Sequence, residues 1–310
     1  MDFALHTGGD YESVLDAARW AEGIGLVSLA LADHYIRSVG DDVESPTFDP
    51  FPHLAGLARE TTRIGLGVYV SPVTFRHPAV LLKMAVTIDH MSGGRFSLGV
   101  GTGWLDREHE IFGIPFPERK VRFEMLEDAL GYLRAALTPG AVGHEGRFFK
   151  LEAVAVAPGP IGPLRLVVGG VGSVKTPRLA GRFADEYNVY PASEDEMKAR
   201  IGRARVAALA AGRDPDEILL SSSGAVLTAP TQNEYRKKFA AVARDVGIEV
   251  EELEAHFEFR NTPRGSYEQV AEQISILAAQ GVQRFYLQRF ADFDRDEEEA
   301  LIEYLRRAIG

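Results

Sequence analysis

Two periodicities alternate along this chain. Short apolar, β-prone runs lie at residues 3–5, 26–31, 64–70, 96–100, 164–168, 186–189, 218–227 and 284–287. Between them, apolar side chains return every three or four positions, the spacing of a helix that buries one face. Val14, Leu15, Ala18 and Ala21 mark the first such helix, over 11–24, and Val80, Leu81, Met84, Ala85 and Ile88 mark one that opens at Pro78. Further helices are predicted at 52–61, 118–137, 173–184, 194–211, 231–245, 249–257, 266–279 and 296–309. Glycines stop several of them, Gly25 and Gly93-Gly94 among these. Eight strands alternating with eight or more helices predict an α/β fold, a (β/α)8 TIM barrel, more readily than an open sheet of six strands. No linker interrupts the alternation, so residues 1–310 are expected to form a single barrel domain. Residues 138–163, rich in glycine and proline, read as an insertion after strand four.

The chain is organised around 63–104, RIGLGVYVSPVTFRHPAVLLKMAVTIDHMSGGRFSLGVGTGW. It reads as strand, loop, helix, turn, strand and glycine-rich loop, so two consecutive strand ends face one way. Strand ends of that kind carry the sites of α/β proteins. Candidate ligand contacts are therefore Ser71 and Pro72 on one side and Gly101, Thr102 and Gly103 on the other. The run from Gly99 to Gly103 looks like a dinucleotide loop, but such loops follow the first strand of their domain and this one comes much later. Its glycines leave room for a flat ring or a phosphate, with Thr102 as a donor. Gly169, Gly170, Val171, Gly172 and Ser173 form a near miss to a P-loop, with Val174 where the second glycine belongs. The surviving expectation is an anion at the amides of a helix N-terminus. Asp33 and His34 end strand two, and His34 can exchange a proton near neutral pH. His6 ends strand one, and His77 before Pro78 reads as a pre-helix residue.

Composition narrows the function. Net charge is −11 without a basic patch, which argues against nucleic acid. The acidic runs at 249–254 and 292–299 read as solvated helix faces. No apolar run reaches about 18 residues, so no membrane span is expected. The first residues are acidic and lead straight into a strand, which does not suit a signal peptide and points to the cytoplasm. With no cysteine, disulfides, thiolate metal sites and a cysteine nucleophile are excluded. No HxxxH pair predicts a metal site, and no GxSxG elbow is present. The loops at 36–52, 104–117 and 138–163 are expected to shape a pocket for a small organic substrate.

Taken together, ADHY at 32–35, the 63–104 stretch, EHEIFGIPFPERKVRFEMLEDAL at 108–130, LVVGGVGSVKTPRLAGRFADEYN at 166–188 and GSYEQVAEQISILAAQGVQRFYL at 265–287 resemble the luciferase-like monooxygenase superfamily. More narrowly, they are similar to its F420-dependent oxidoreductases. The resemblance covers nearly the whole chain. It implies a homodimeric barrel that binds F420, or alternatively FMN, at its C-terminal mouth, with a separate reductase for the cofactor. It also implies that Tyr69, Val70 and Ser71 form a bulge, often with a cis peptide bond, behind the central ring of the cofactor. By the same resemblance His34 lies near the reactive carbon, Thr102 and Gly103 line the ring, and Gly170, Gly172 and Ser173 hold the phosphate. In the sugar-phosphate dehydrogenase branch a catalytic glutamate follows the Thr-Gly pair. Here that position is Trp104, which with His6 is expected to face the substrate. Three functions follow: an F420-dependent oxidoreductase, an FMN-dependent monooxygenase using dioxygen, or a cofactor-binding relative without turnover.

Overall fold

A computed structural model of the chain describes residues 1–36, 46–245, 247–288 and 295–309. Eight parallel strands close into a barrel: β1 (Asp2–Thr7), β2 (Ser28–Leu31), β3 (Gly65–Pro72), β4 (Phe96–Gly101), β5 (Arg165–Gly170), β6 (Glu186–Val189), β7 (Leu219–Ala225) and β8 (Arg284–Gln288). Each pairs with its sequence neighbours, and β1 closes the ring by pairing Phe3 with Phe285 on one side and Leu5 with Leu29 on the other. The expected barrel is thus observed. Helices α1 (Tyr11–Gly23), α2 (Pro50–Glu60), α3 (Pro78–Ser92), α4 (Asp106–Phe112), α5 (Arg119–Leu137), α6 (Lys175–Phe183), α7 (Glu194–Ala210), α8 (Gln232–Asp245), α9 (Val250–Arg260), α10 (Tyr267–Ala279) and α11 (Arg295–Ile309) fill the connections.

The strand pattern divides the apolar residues between two cores. Leu29, Leu66, Val68, Leu98, Val100, Leu166, Val168 and Phe285 face the helices, in one large cluster with Leu54, Leu57, Leu81 and Ala85. Their alternates, Ala4, Ala30, Tyr69, Val167 and Tyr286, form a second cluster inside the barrel. The small residues there make room for the two tyrosines. Beneath the tyrosines lies a fully buried carboxylate, Glu186. Its oxygens accept from Ser221 at 2.6 Å, from the Tyr286 hydroxyl at 3.3 Å and from Arg284 at 3.5 Å, while the Tyr69 and Tyr286 hydroxyls bond at 2.7 Å. Burial drives both phenols above their usual range, with the Glu186 charge adding to the effect, so both stay protonated.

Between Val68 and Ser71 the β3–β4 register shifts, so that Tyr69 and Val70 together oppose Gly99. The Tyr69–Val70 peptide bond is cis. The Val70 side chain fills space left by glycines: a Cβ on Gly99 would meet Val70 Cγ1 at 2.8 Å and Val68 O at 2.2 Å, and one on Gly101 would meet Val70 Cγ2 at 2.6 Å. Gly169, on the next strand, approaches the same side chain.

Three boundaries differ from the sequence reading. The predicted seventh strand, 218–227, leaves the barrel after Ala225, and Leu227–Ala229 pairs instead with Arg264–Ser266 above a small core of Tyr235, Phe239, Leu253 and Phe257. The segment 104–117 is not all loop, because α4 occupies its middle. The insertion at 138–163 forms a short antiparallel ribbon, His144–Glu145 with Lys150–Leu151, strapped outside the barrel. Asp128 of α5 accepts from the amides of Phe148 and Phe149, and Asp89 of α3 from those of Ile161 and Gly162. These contacts seat the insertion against α3 and α5, with Phe149 packed edge to face on His77, the first residue before α3, at 5.1 Å. Of the acidic runs, Glu251, Glu252 and Glu254 are exposed, whereas Glu298 is buried and positions 292–294 lie outside the described residues.

The bulge packing carries a stability prediction. Gly99→Ala should cost about 2 kcal/mol or more in guanidinium unfolding, because the new methyl overlaps a backbone carbonyl. Gly8→Ala, with nothing within 4 Å, should stay within about 0.5 kcal/mol of wild type. Equal effects at the two positions would contradict the packing account.

Candidate active site at the mouth of the barrel

The C-terminal ends of β1 to β5 bring most of the sequence-predicted residues together: His6, Asp33, His34, Val70, Ser71, Gly101, Thr102, Gly103, Trp104 and the run from Gly169 to Ser173. Within that group the roles divide. The Tyr69 side chain points down into the barrel toward Tyr286, so only its backbone belongs to the rim. Gly101 gives its free space to Val70, a use the sequence does not announce. Thr102 turns its hydroxyl onto the Gly103 carbonyl at 3.3 Å, and Gly103 adopts a left-handed φ of 72° close to Pro72 and Phe116. His77 is the N-cap of α3, its Nδ1 accepting from the Ala79 amide at 3.1 Å, as expected of a pre-helix residue. Residues 37–45 of the loop expected to shape the pocket lie outside the described residues.

Asp33 is 1% exposed and is held by a cation that the sequence reading passed over. Arg76, directly before His77, donates from Nη1 to Asp33 Oδ2 at 2.5 Å and from Nη2 to Asp49, the N-cap of α2. Ser71 donates to the same Asp33 oxygen at 2.6 Å. One guanidinium therefore ties the end of β2, the loop after β3 and the start of α2, with its flat face over Phe51 at 4.8 Å. Burial pushes the Asp33 carboxyl above its usual value against the pull of Arg76 and Ser71. Arg76 is raised because Asp33 and Asp49 hold its proton more strongly than burial opposes it. Asp33 Oδ1 has no partner among the described residues.

His34 meets a second residue that sequence reasoning missed. Its Nδ1 lies 3.1 Å from Glu108 Oε1 and 3.2 Å from Oε2, and the Tyr35 amide donates to Oε2 at 3.0 Å. Glu108 is wholly buried on α4. Next to it, His109 Nε2 contacts the Thr74 hydroxyl at 2.7 Å and its ring packs on Phe116. The helix hides from pattern analysis because it has seven residues, no side-chain cap at Leu105, and an acid and a histidine on its buried face. Trp104 stands edge to face with His34, ring centroids 5.6 Å apart, and is 57% exposed. Around Tyr35, Phe75 stacks at 4.4 Å and Phe112 makes an edge contact at 5.5 Å, giving this side of the mouth an aromatic wall. Among the described residues no group of three His, Cys, Asp or Glu side chains could hold a metal ion. No helix there is long and apolar enough to cross a membrane.

Across the mouth, β5 leads through Gly170, at φ 139°, into α6. The N-terminus of α6 has no side-chain cap, so its first amides are left for another acceptor. Lys175 and Arg203 stand beside them, Arg203 bonding the Ser173 carbonyl at 2.8 Å. That is the chemistry of an anion seat.

The sequence profile of luciferase-like monooxygenases matches residues 2–298. The chain belongs to that family. Over 185 residues this luciferase-like chain is 31% identical to an F420-dependent glucose-6-phosphate dehydrogenase of Microbacterium testaceum, an alignment covering 59% of this chain and 54% of that protein. The chain thus spans about half the length of the curated relatives it matches. An F420-dependent secondary alcohol dehydrogenase in complex with an F420–acetone adduct superposes with a TM-score of 0.80, at 19% identity, over 98% of this chain and 99% of that one. A type II Baeyer-Villiger monooxygenase of Pseudomonas putida with FMN does so at 0.74 and 19% identity, over 100% and 98%. At such identities the superpositions establish the (β/α)8 barrel and nothing finer.

Two predictions follow from the charges at the mouth. Arg76→Met should cost about 3–5 kcal/mol, since it strands the buried Asp33 carboxylate, and adding Asp33→Asn should recover most of the loss. A double variant as unstable as the single would contradict the pairing. His6 is lowered to about 4, first by burial and then by the nearby His34. Its folded value lies below its unfolded one, so its contribution is complete above about pH 6.5 and is lost as pH falls toward 4. His6→Asn should therefore flatten the acid limb of the melting-temperature profile over that window. An unchanged profile would contradict the assignment.

Proposed function

We propose that this protein is an F420-dependent oxidoreductase that moves a hydride between the deazaflavin and a small organic substrate. The reading rests on one juxtaposition above all. His34, a proton-transfer group, faces a mouth with a glycine-lined bulge at its back and an open anion seat across from it. The local likeness to F420-dependent glucose-6-phosphate dehydrogenases supports the choice of cofactor.

The residues present suit such a group. The uncapped amides of α6, with Gly170, Gly172 and Ser173, offer a place for the phosphate of its side chain. Val70 and the loop from Gly101 to Gly103 offer an apolar, closely approachable back wall, and the buried Asp33 Oδ1 is an acceptor without a donor among the described residues. When bound, the deazaflavin supplies hydride exchange at its C5. His34 exchanges a proton with the substrate at Nε2, the ring nitrogen that Glu108 does not engage. Trp104 and the aromatic wall exclude water and favour an apolar or flat substrate. Glucose 6-phosphate is not the expected substrate, because an indole stands where that branch has a carboxylate, and an indole moves no proton. In this reading the barrel works as a homodimer with a separate reductase renewing the cofactor.

The second reading, an FMN-dependent monooxygenase, draws on the barrel shared with FMN-bound enzymes. Fluorescence titration of the purified protein with each cofactor separates the two. F420 is expected to bind at micromolar concentration or below, and FMN at least about tenfold more weakly, a difference of about 1.4 kcal/mol. Tight FMN binding with none for F420 would overturn the proposal.

A further inference from the structure

We infer that Glu108 is a positioning residue for His34: it fixes the imidazole tautomer so that Nε2 is the nitrogen free to exchange a proton at the mouth. This rests on the proposed use of His34, but it is argued from contacts that exist whatever the cofactor.

A carboxylate only accepts hydrogen bonds. With Nδ1 at 3.1 and 3.2 Å from the two Glu108 oxygens, that nitrogen carries a proton in the neutral ring as well as the charged one. The neutral ring then has its lone pair on Nε2, the less common arrangement for a histidine free in water. Among the described residues, the other charged and titratable groups around the ring do not compete for Nδ1. From β1, His6 is held neutral by burial. Asp33 at the end of β2 and Arg76 in the loop after β3 are bound to one another. From α4, His109 is turned to Thr74 and to the Leu105 carbonyl. Tyr35 lies against Phe75 and Phe112. Trp104, from the loop after β4, covers the imidazole without offering it an acceptor. A buried carboxylate behind a histidine also stabilises the imidazolium that forms when Nε2 takes a proton, the arrangement that orients the base of a serine hydrolase.

A purely structural role must be separated from this one, because Glu108 also holds the Tyr35 amide and so ties α4 to the end of β2. Glu108→Gln makes the separation. The Tyr35 N–H claims the amide oxygen, so the amide nitrogen faces His34 and donates to Nδ1. The tie survives while the tautomer reverses, placing the proton on Nε2 and removing the base from the mouth.

The test is 15N NMR of the histidine side chains at alkaline pH, where the rings are neutral, with His34→Asn identifying the resonances. Wild type is expected to show Nδ1 protonated and Nε2 bare, and Glu108→Gln the reverse. In coupled F420 turnover the variant should lose about 100-fold or more in kcat with KM within about threefold, and its melting temperature should hold. A wild-type ring protonated on Nε2 would overturn the inference, as would a Glu108→Gln protein that keeps the wild-type tautomer and rate. If the variant does not fold, the wild-type tautomer alone decides. If the protein has no F420 activity, the functional reading fails while the NMR result still judges the role of Glu108.

Discussion

The volume of one side chain organises this mouth. Val70 sits where β3 carries an extra residue, and Gly99, Gly101 and Gly169 on the next two strands leave the space it fills. That packing turns Tyr69 down into the barrel, where its hydroxyl joins Tyr286 above Glu186, and leaves Ser71 level with Asp33. The glycines are required by the protein itself before any ligand arrives. A methyl on Gly99 or Gly101 would expel Val70, and the rim of the mouth would move with it.

Upon that rim the charges are arranged in pairs that cannot easily be broken. Arg76 binds Asp33 and Asp49, and Glu108 binds His34 and the Tyr35 amide. The two buried carboxylates tie the end of β2 to the loop after β3 and to α4, and in the low dielectric of the interior an unpaired member would be costly. The chemistry is thereby held on rigid strand ends while the outer walls are left to Trp104 and Phe112, which are exposed. Such a division suits a family whose members share a barrel and differ in what they bind.

Much of this was legible in the sequence, because two-sided burial makes parallel strands read as apolar runs and the helices between them keep a clear apolar stripe. Strand seven ran two residues too far because Leu227 is as apolar as the barrel strand before it, although it serves a separate small core. The insertion was visible as glycine and proline, yet its seat was not, since that depends on Asp89 and Asp128 accepting backbone amides far along the chain. At the site, His34 and the glycine loops stood out by position. Glu108 and Arg76 did not, because a buried ion pair has no local pattern: each partner looks like an ordinary surface charge until the fold brings it to the other.

The central claim is that the mouth supports hydride exchange with a deazaflavin, aided by a proton at His34 Nε2, and needs no oxygen. Single-turnover absorbance of reduced F420 mixed with the protein and an enone, under strictly anaerobic conditions, tests it most directly. The account predicts oxidation of the cofactor with matching reduction of the enone, abolished in His34→Asn. Oxidation that requires dioxygen, or that proceeds unchanged without His34, would contradict it.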